Sequence, residues 1–236
     1  MEFDGRNVLL TGVGRPGQVG EAVAQAFARR GARLLLVAHR IEQARERADA
    51  LVANGHQAAP FATDLTDAND VASLAEEVRT RTDGQLHAVV HIAGGFSMSG
   101  PVAGSDPAEW TRLFAMNGTT AYLVARAFVP LLRDSRGSLT CFASEAVLPG
   151  AAAKNRAAYV AAKSAVVAVV HAVADEERAN GVRANAVAPS TIRTADNVAA
   201  MGEKASMVSR EAVADVVCWL ASDAARAVSG QVIAVR

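Results

Sequence analysis

The sequence predicts an α/β protein, a single domain built on a Rossmann-type doubly wound parallel β-sheet with helices on both faces. Three observations carry this reading. Short apolar runs alternate with longer helical patterns along the whole chain. The runs are nearly continuous in Val, Leu and Ala, as in strands buried on both faces. Glycines and polar residues gather just after the runs, where a doubly wound sheet opens its ligand crevice. With 236 residues and an apolar content of 51%, the chain can bury one substantial core. No Pro/Gly/Ser-rich linker, internal repeat or charge block divides it, so residues 1–236 are read as one domain.

The first strand, 7–11, runs into TGVGRPGQVG, which opens a helix over 18–30. Glycines there let the backbone approach a pyrophosphate, and the free amides and dipole of the helix start favour an anion. Gly12, Arg15, Gly17, Gln18 and Val19 are therefore candidate cofactor contacts. A glycine-rich turn by itself also serves any tight bend; its place between first strand and first helix makes it a nucleotide candidate. The second strand, 33–38, ends in Ala38-His39-Arg40, with no acid to take a ribose 2′-hydroxyl. Arg15 and Arg40 could instead flank a 2′-phosphate, which favours NADP (NADPH) over NAD, and His39 beside them is a further candidate cofactor contact. The alternative is that Arg40 merely begins the next helix, 41–54.

Strand 57–62 leads to Asp64-Leu65 and helix 67–82, and strand 86–93 leads to Ala93-Gly94. A long helix is expected over 107–133, with Asn117 inside it. Strand 138–143 ends at Ser144. Helix 155–180 carries AAYVAAKSAVVAVV, with one of the chain's two tyrosines, Tyr159, four residues before Lys163. Residues so spaced share a helix face. A phenol beside an ammonium makes an acid/base pair, because the cation favours the phenolate. A partly buried tyrosine beside an unrelated surface lysine reads almost as well from this pair alone. Strand 183–188 leads to Pro189, Ile192 and Thr194. Helix 210–222 and strand 231–235 follow.

The formal net charge is zero and the charges are interleaved, which argues against nucleic-acid or membrane-surface partners. Cys141 and Cys218 lie in apolar contexts and read as buried thiols of a reducing compartment. The N-terminus lacks a signal-peptide pattern, and the expected location is cytoplasmic. No histidine spacing suits a metal. His91, within an apolar strand, reads as a core residue. Phe96, Met98, Val147 and Leu148 follow strand ends and are candidate pocket walls.

Taken in order, the Thr11-Gly12 turn, Asp64-Leu65, Ala93-Gly94, Asn117, Ser144, Tyr159-x-x-x-Lys163 and Asn185-Ala186-Val187-Ala188-Pro189 through Thr194 resemble the short-chain dehydrogenase/reductase family over nearly the whole chain. The 3-oxoacyl-ACP reductase-like enzymes are the branch it most resembles. The resemblance implies that Tyr159 protonates a carbonyl oxygen as hydride arrives from a nicotinamide. It further implies that Lys163 lowers the tyrosine pKa and binds the ribose, that Ser144 holds the carbonyl oxygen, and that Asn117 anchors a water. It makes Asp64, Leu65, Ala93, Gly94, Pro189, Ile192 and Thr194 further cofactor contacts.

Four features depart from the family pattern. Five residues, not three, separate Gly12 from Gln18, which resembles the divergent enoyl-reductase turn. His91-Ile92-Ala93-Gly94 stands where Asn-Asn-Ala-Gly is usual. Ser190 follows Pro189 where glycine is usual, and no Asp-Gly-Gly stretch follows the last strand. The expected activity is reversible reduction of a small ketone or 3-oxoacyl carbonyl with NADPH. Two rivals are enoyl reduction, disfavoured by the Tyr159–Lys163 spacing, and a nucleotide-binding sensor or scaffold without turnover. The stretch 157–174 within helix 155–180, apolar around nearly its whole circumference, leads to the expectation of a homotetramer or homodimer.

Overall fold

The computed structural model describes all 236 residues. Seven strands form one sheet: β1 (Asn7–Thr11), β2 (Arg33–Ala38), β3 (Gln57–Ala62), β4 (Ala88–His91), β5 (Ser138–Phe142), β6 (Arg183–Pro189) and β7 (Val232–Val235). Every pairing is parallel, in the order β3-β2-β1-β4-β5-β6-β7. The chain reverses its direction of winding between β1 and β4, and a crevice opens beyond the carboxyl ends of these strands.

Successive strand side chains point to opposite faces, and two cores result. Leu9, Leu35, Val89 and Leu139 pack with helices α3 (Ala68–Arg81), α5 (Thr120–Phe128) and α6 (Ala157–Glu176). Val8, Leu10, Leu34, Leu36 and Val90 pack with α1 (Val19–Arg29), α2 (Ile41–Val52) and α8 (Arg210–Ala221). This is the expected doubly wound fold, and β1, β2 and β3 have the expected bounds. β4 is shorter than expected. Ile92 N makes the last rung on Thr11 O, and the backbone then turns beneath the glycine-rich loop at Ala93.

The helix expected over 107–133 is broken into pieces. It begins as α4 (Pro107–Phe114), capped by Asp106, whose carboxylate accepts from Ala108 N. A π-helical turn covers Ala115–Thr119, α5 follows, and a 3-10 turn at Val129–Leu132 carries Pro130. Proline cannot donate within a helix, which accounts for the change at its end. A short helix, α7 (Ala195–Met201), lies where no helix was expected, between Thr194 and α8.

By length and composition α6 would cross a bilayer. Its buried stripe of Ala158, Ala162, Val166, Val170 and Val173 packs on the sheet, however, and that explains its apolarity as a core helix. Both cysteines are free and buried, and burial pushes each thiol up to about 12.

Candidate active site

The crevice is built from strand ends that come together only in the folded chain. The turn after β1 packs against the turn after β4. A Cβ on Gly12 would stand 2.6 Å from Ala93 N, and Gly12 holds φ +81. A Cβ on Gly20 would stand 2.7 Å from Gly12 O. The loop therefore lies flat on its neighbours and leaves the start of α1 open, with no side-chain cap at Gln18. This cradle fits a dinucleotide pyrophosphate, whose oxygens would meet backbone amides at a helix start.

The ends of β2 and β3 are where the adenosine end of such a ligand would be held. Ala38 and Ala62 are paired in register, which brings His39 and Asp64 to one edge. The Asp64 carboxylate accepts from Thr66 Oγ1 at 2.6 Å and from Thr66 N at 2.9 Å. These bonds, with the nearby His39, hold it below the usual carboxylate range. Leu65 packs on the α3-side core. His39 and Arg40 are exposed, and Arg40 is the residue before α2.

Two expected contacts are otherwise engaged. Arg15 pairs with Asp196 of α7 at 2.7 Å instead of standing free beside Arg40. The Gly17 amide donates to Glu21 Oε2 at 2.8 Å, and Gly17 O accepts from Ala195 N at 3.0 Å. Gly17 shapes the turn, then, and has no amide left for a phosphate. Gln18 and Val19 keep their places at the helix start. Thr194 is buried and caps α7 by accepting from Asn197 N, Ile192 O accepts from Asn197 Nδ2 at 2.8 Å, and Pro189 ends β6.

At the catalytic end Lys163 is buried, and its ammonium donates to Phe142 O at 2.6 Å. Burial lowers it from 10.5 to about 8, against a small opposing pull from Cys141. One helical turn away, Tyr159 is partly buried, with Ser144 close enough to its phenol to favour the phenolate. Ser144 Oγ accepts from Ala146 N at 3.2 Å. The expected sign of the tyrosine shift is reversed: burial raises the phenol above 10, and the opposing pulls come from Ser144 and Arg156, with none from Lys163. Desolvation penalises the phenolate more than these partners favour it, so Tyr159 is a neutral phenol with a proton to give.

Asn117 is fully buried in the π-helical turn. Its amide donates to Leu113 O at 2.9 Å and Gly95 O at 3.1 Å, and its Oδ1 accepts from Gly95 N at 3.2 Å. Both donors are spent on the backbone, so the side chain clamps the Gly94-Gly95 turn. A Cβ on Gly94 would stand 2.5 Å from Asn117 Oδ1 and 3.2 Å from Lys163 Nζ; only glycine fits between them.

His91 does the work of the amide usual at its position. Nδ1 lies 2.8 Å from Thr11 Oγ1 and Nε2 lies 3.2 Å from Thr120 Oγ1, tying β1, β4 and α5. Burial, with the Lys163 charge nearby, lowers it to about 3, so the ring is neutral. Phe96 stands edge-on to Tyr159, ring centroids 5.0 Å apart at 88°, and is 58% exposed. Met98 is exposed beside it, while Val147 and Leu148 are packed on the core. Glu21, which anchors Gly17, and Arg156, which acts on Tyr159, were not singled out from sequence; their contacts depend on chain closure and leave no spacing signal.

The geometry agrees with what known proteins resemble this chain. A family model described as enoyl-(acyl carrier protein) reductase matches residues 12–236. The 2-(S)-hydroxypropyl-CoM dehydrogenase 3 of Xanthobacter autotrophicus is 31% identical, over 98% of this chain and 95% of its own length. A short-chain type dehydrogenase/reductase from Mycobacterium ulcerans superposes with a TM-score of 0.90 at 31% identity, covering 100% of this chain and 90% of that one. A candidate NAD(P)-dependent gluconate 5-dehydrogenase from Beutenbergia cavernae, with NADP bound at low occupancy, gives 0.86 at 29% identity over 98% and 95%. The ordered glycine turn, the Ser144–Tyr159–Lys163 cluster and these matches make the chain a member of the short-chain dehydrogenase/reductase family, an NAD(P)-dependent oxidoreductase.

Proposed function

We propose that the protein is an NADPH-dependent reductase of an uncharged ketone or 3-oxoacyl-type carbonyl, acting reversibly as an alcohol dehydrogenase. The observation that carries this reading is the placing of Tyr159 in the crevice, near Ser144 and packed edge-on to Phe96, one helical turn from the buried Lys163 ammonium. When bound, the nicotinamide supplies the hydride. Ser144 and Tyr159 orient the carbonyl oxygen by hydrogen bonds, and Tyr159 delivers the proton to that oxygen as negative charge develops on it. General acid catalysis of this kind contributes about 10²–10⁴-fold. Lys163 keeps a positive charge beneath the site and can turn from Phe142 O to a ribose hydroxyl. Asn117 holds the Gly94-Gly95 turn against it. Phe96 and Met98 present an apolar mouth, which suits an apolar substituent on the carbonyl.

The absence of an acid at Ala38-His39 and the exposed Arg40 support NADPH over NADH. Replacing Arg40 with Ala should weaken NADPH binding several-fold more than NADH binding; equal losses, or a wild-type preference for NADH, would reverse the assignment. Enoyl reduction is the weaker reading, because Arg156, not a tyrosine, stands at the position its wider Tyr–Lys spacing requires. Steady-state oxidation of NADPH and NADH with ketones, 3-oxoacyl thioesters, quinones and enoyl thioesters tests the proposal. Turnover of a ketone or 3-oxoacyl compound is expected, and turnover of enoyl thioesters alone would defeat it.

Free, buried thiols support a cytoplasmic location. Partly exposed apolar residues on the outer side of α6, with Trp110 of α4 and Tyr122 of α5 exposed nearby in the chain's fold, support a homotetramer or homodimer formed through these helices.

A further inference from the structure

Five residues, Val13 to Gly17, lie between Gly12 and Gln18. A loop lengthened in this way loses more freedom when it closes on a ligand unless something already holds it. In this chain the holder is Glu21, in the first turn of α1. Its Oε2 accepts from Gly17 N at 2.8 Å, and its Oε1 accepts from Arg47 Nη1 of α2 at 2.7 Å. Arg210 of α8 approaches Oε2 at 3.6 Å. The Glu21 side chain is 23% exposed and that of Arg47 11%, so the contacts are well shielded from solvent. Bonds to ionised groups in such surroundings are short and geometrically selective. On its other side Gly17 meets α7, where Ala195 N donates to its carbonyl. The residue is fixed from both directions at φ +71.

We propose that Glu21 is a positioning residue for cofactor binding. Its carboxylate fixes Gly17, and so presents the Gln18 and Val19 amides at the start of α1 in the arrangement a pyrophosphate needs. A carboxylate so near an anion site would repel the ligand if left bare. Arg47 and Arg210, which Glu21 shares with Glu46 and Glu211, offset part of that charge, and the bond to the Gly17 amide is the favourable contribution. The inference rests on the reading of this crevice as a dinucleotide site.

The test compares full-length wild type, Glu21→Ala and Glu21→Gln. Kd values for NADPH and NADH come from nicotinamide fluorescence, and amide hydrogen exchange over residues 12–20 is followed without cofactor. Losing a hydrogen bond to a charged group corresponds to about 10–100-fold. Glu21→Ala should raise both Kd values together by about that factor, since the pyrophosphate is common to both cofactors. It should also speed exchange across the turn and raise the cofactor KM far more than it lowers kcat. Glu21→Gln keeps an oxygen for the Gly17 amide and should recover part of the affinity. Unchanged Kd values, unchanged exchange, or a Gln variant as weak as the Ala variant would overturn the proposal. If the Ala variant fails to fold, the Gln variant decides through its exchange at Gly17, which must stay slower than that of unstructured chain. A wild type that binds neither cofactor would defeat the functional reading, while turn exchange would still report on Glu21.

Discussion

At the scale of single residues, the chemistry depends on how burial sets two titrating groups. Lys163 is held near 8 because its ammonium is enclosed with little more than the Phe142 carbonyl for company. Tyr159 is held above 10 by the same cause. The charge on Lys163 is therefore present below about pH 8 and is lost as pH rises through that value, while Tyr159 stays protonated over this range. The reductive kcat/KM, measured with saturating NADPH, should be level below pH 8 and fall toward tenfold per unit above it. A profile level to pH 10 would show that the lysine charge is not required. The Tyr159–Lys163 pair was legible in sequence from its spacing alone, since i and i+4 share a helix face. The influence of Arg156 and the full engagement of Asn117 were not legible. Both depend on backbone carbonyls and turns that only the folded chain brings near.

At the scale of elements, the central strands were legible because near-continuous apolar runs in a βα alternation have few other solutions. The interruption of the long helix was not. The turn's one glycine, Gly118, weakens a helix without fixing where it breaks, and Asn117 is no stronger signal. The π-helical turn is set by its amide reaching Leu113 O and Gly95. α7 escaped notice because its seven residues are short and wholly on the surface, without a buried stripe to leave a period. His91 was legible as a core residue, and its partners explain how the sheet does without the usual amide. Its ring joins two strands and a helix through Thr11 and Thr120. His91→Ala would leave a cavity and the buried Thr11 hydroxyl without a partner, Thr120 keeping its bonds to Met116 O and Asn117 O, and should destabilise the fold by about 2–4 kcal/mol. Urea denaturation checks this; a loss below about 1 kcal/mol would show that the bridge contributes little.

At the scale of the whole molecule, α6 serves two surfaces. One stripe packs on the sheet and delivers Lys163 to the crevice, and the other remains apolar and partly exposed. Light scattering at micromolar concentration should give a mass at least twice 24.5 kDa; a stable, active monomer would refute assembly through this helix. The fold brings the glycine-rich turn, Tyr159 and the exposed Phe96 and Met98 to the carboxyl ends of the strands, and the proposed account stands or falls on the division of labour there. Tyr159→Phe removes the proton donor and keeps the ring that packs against Phe96. The most direct measurement sets NADPH affinity, read by nicotinamide fluorescence, beside kcat for this variant on whichever carbonyl the wild type reduces fastest. The account predicts a Kd within about twofold of wild type and a kcat lowered by about 10²-fold or more. A variant that binds NADPH normally and turns over near the wild-type rate would contradict it.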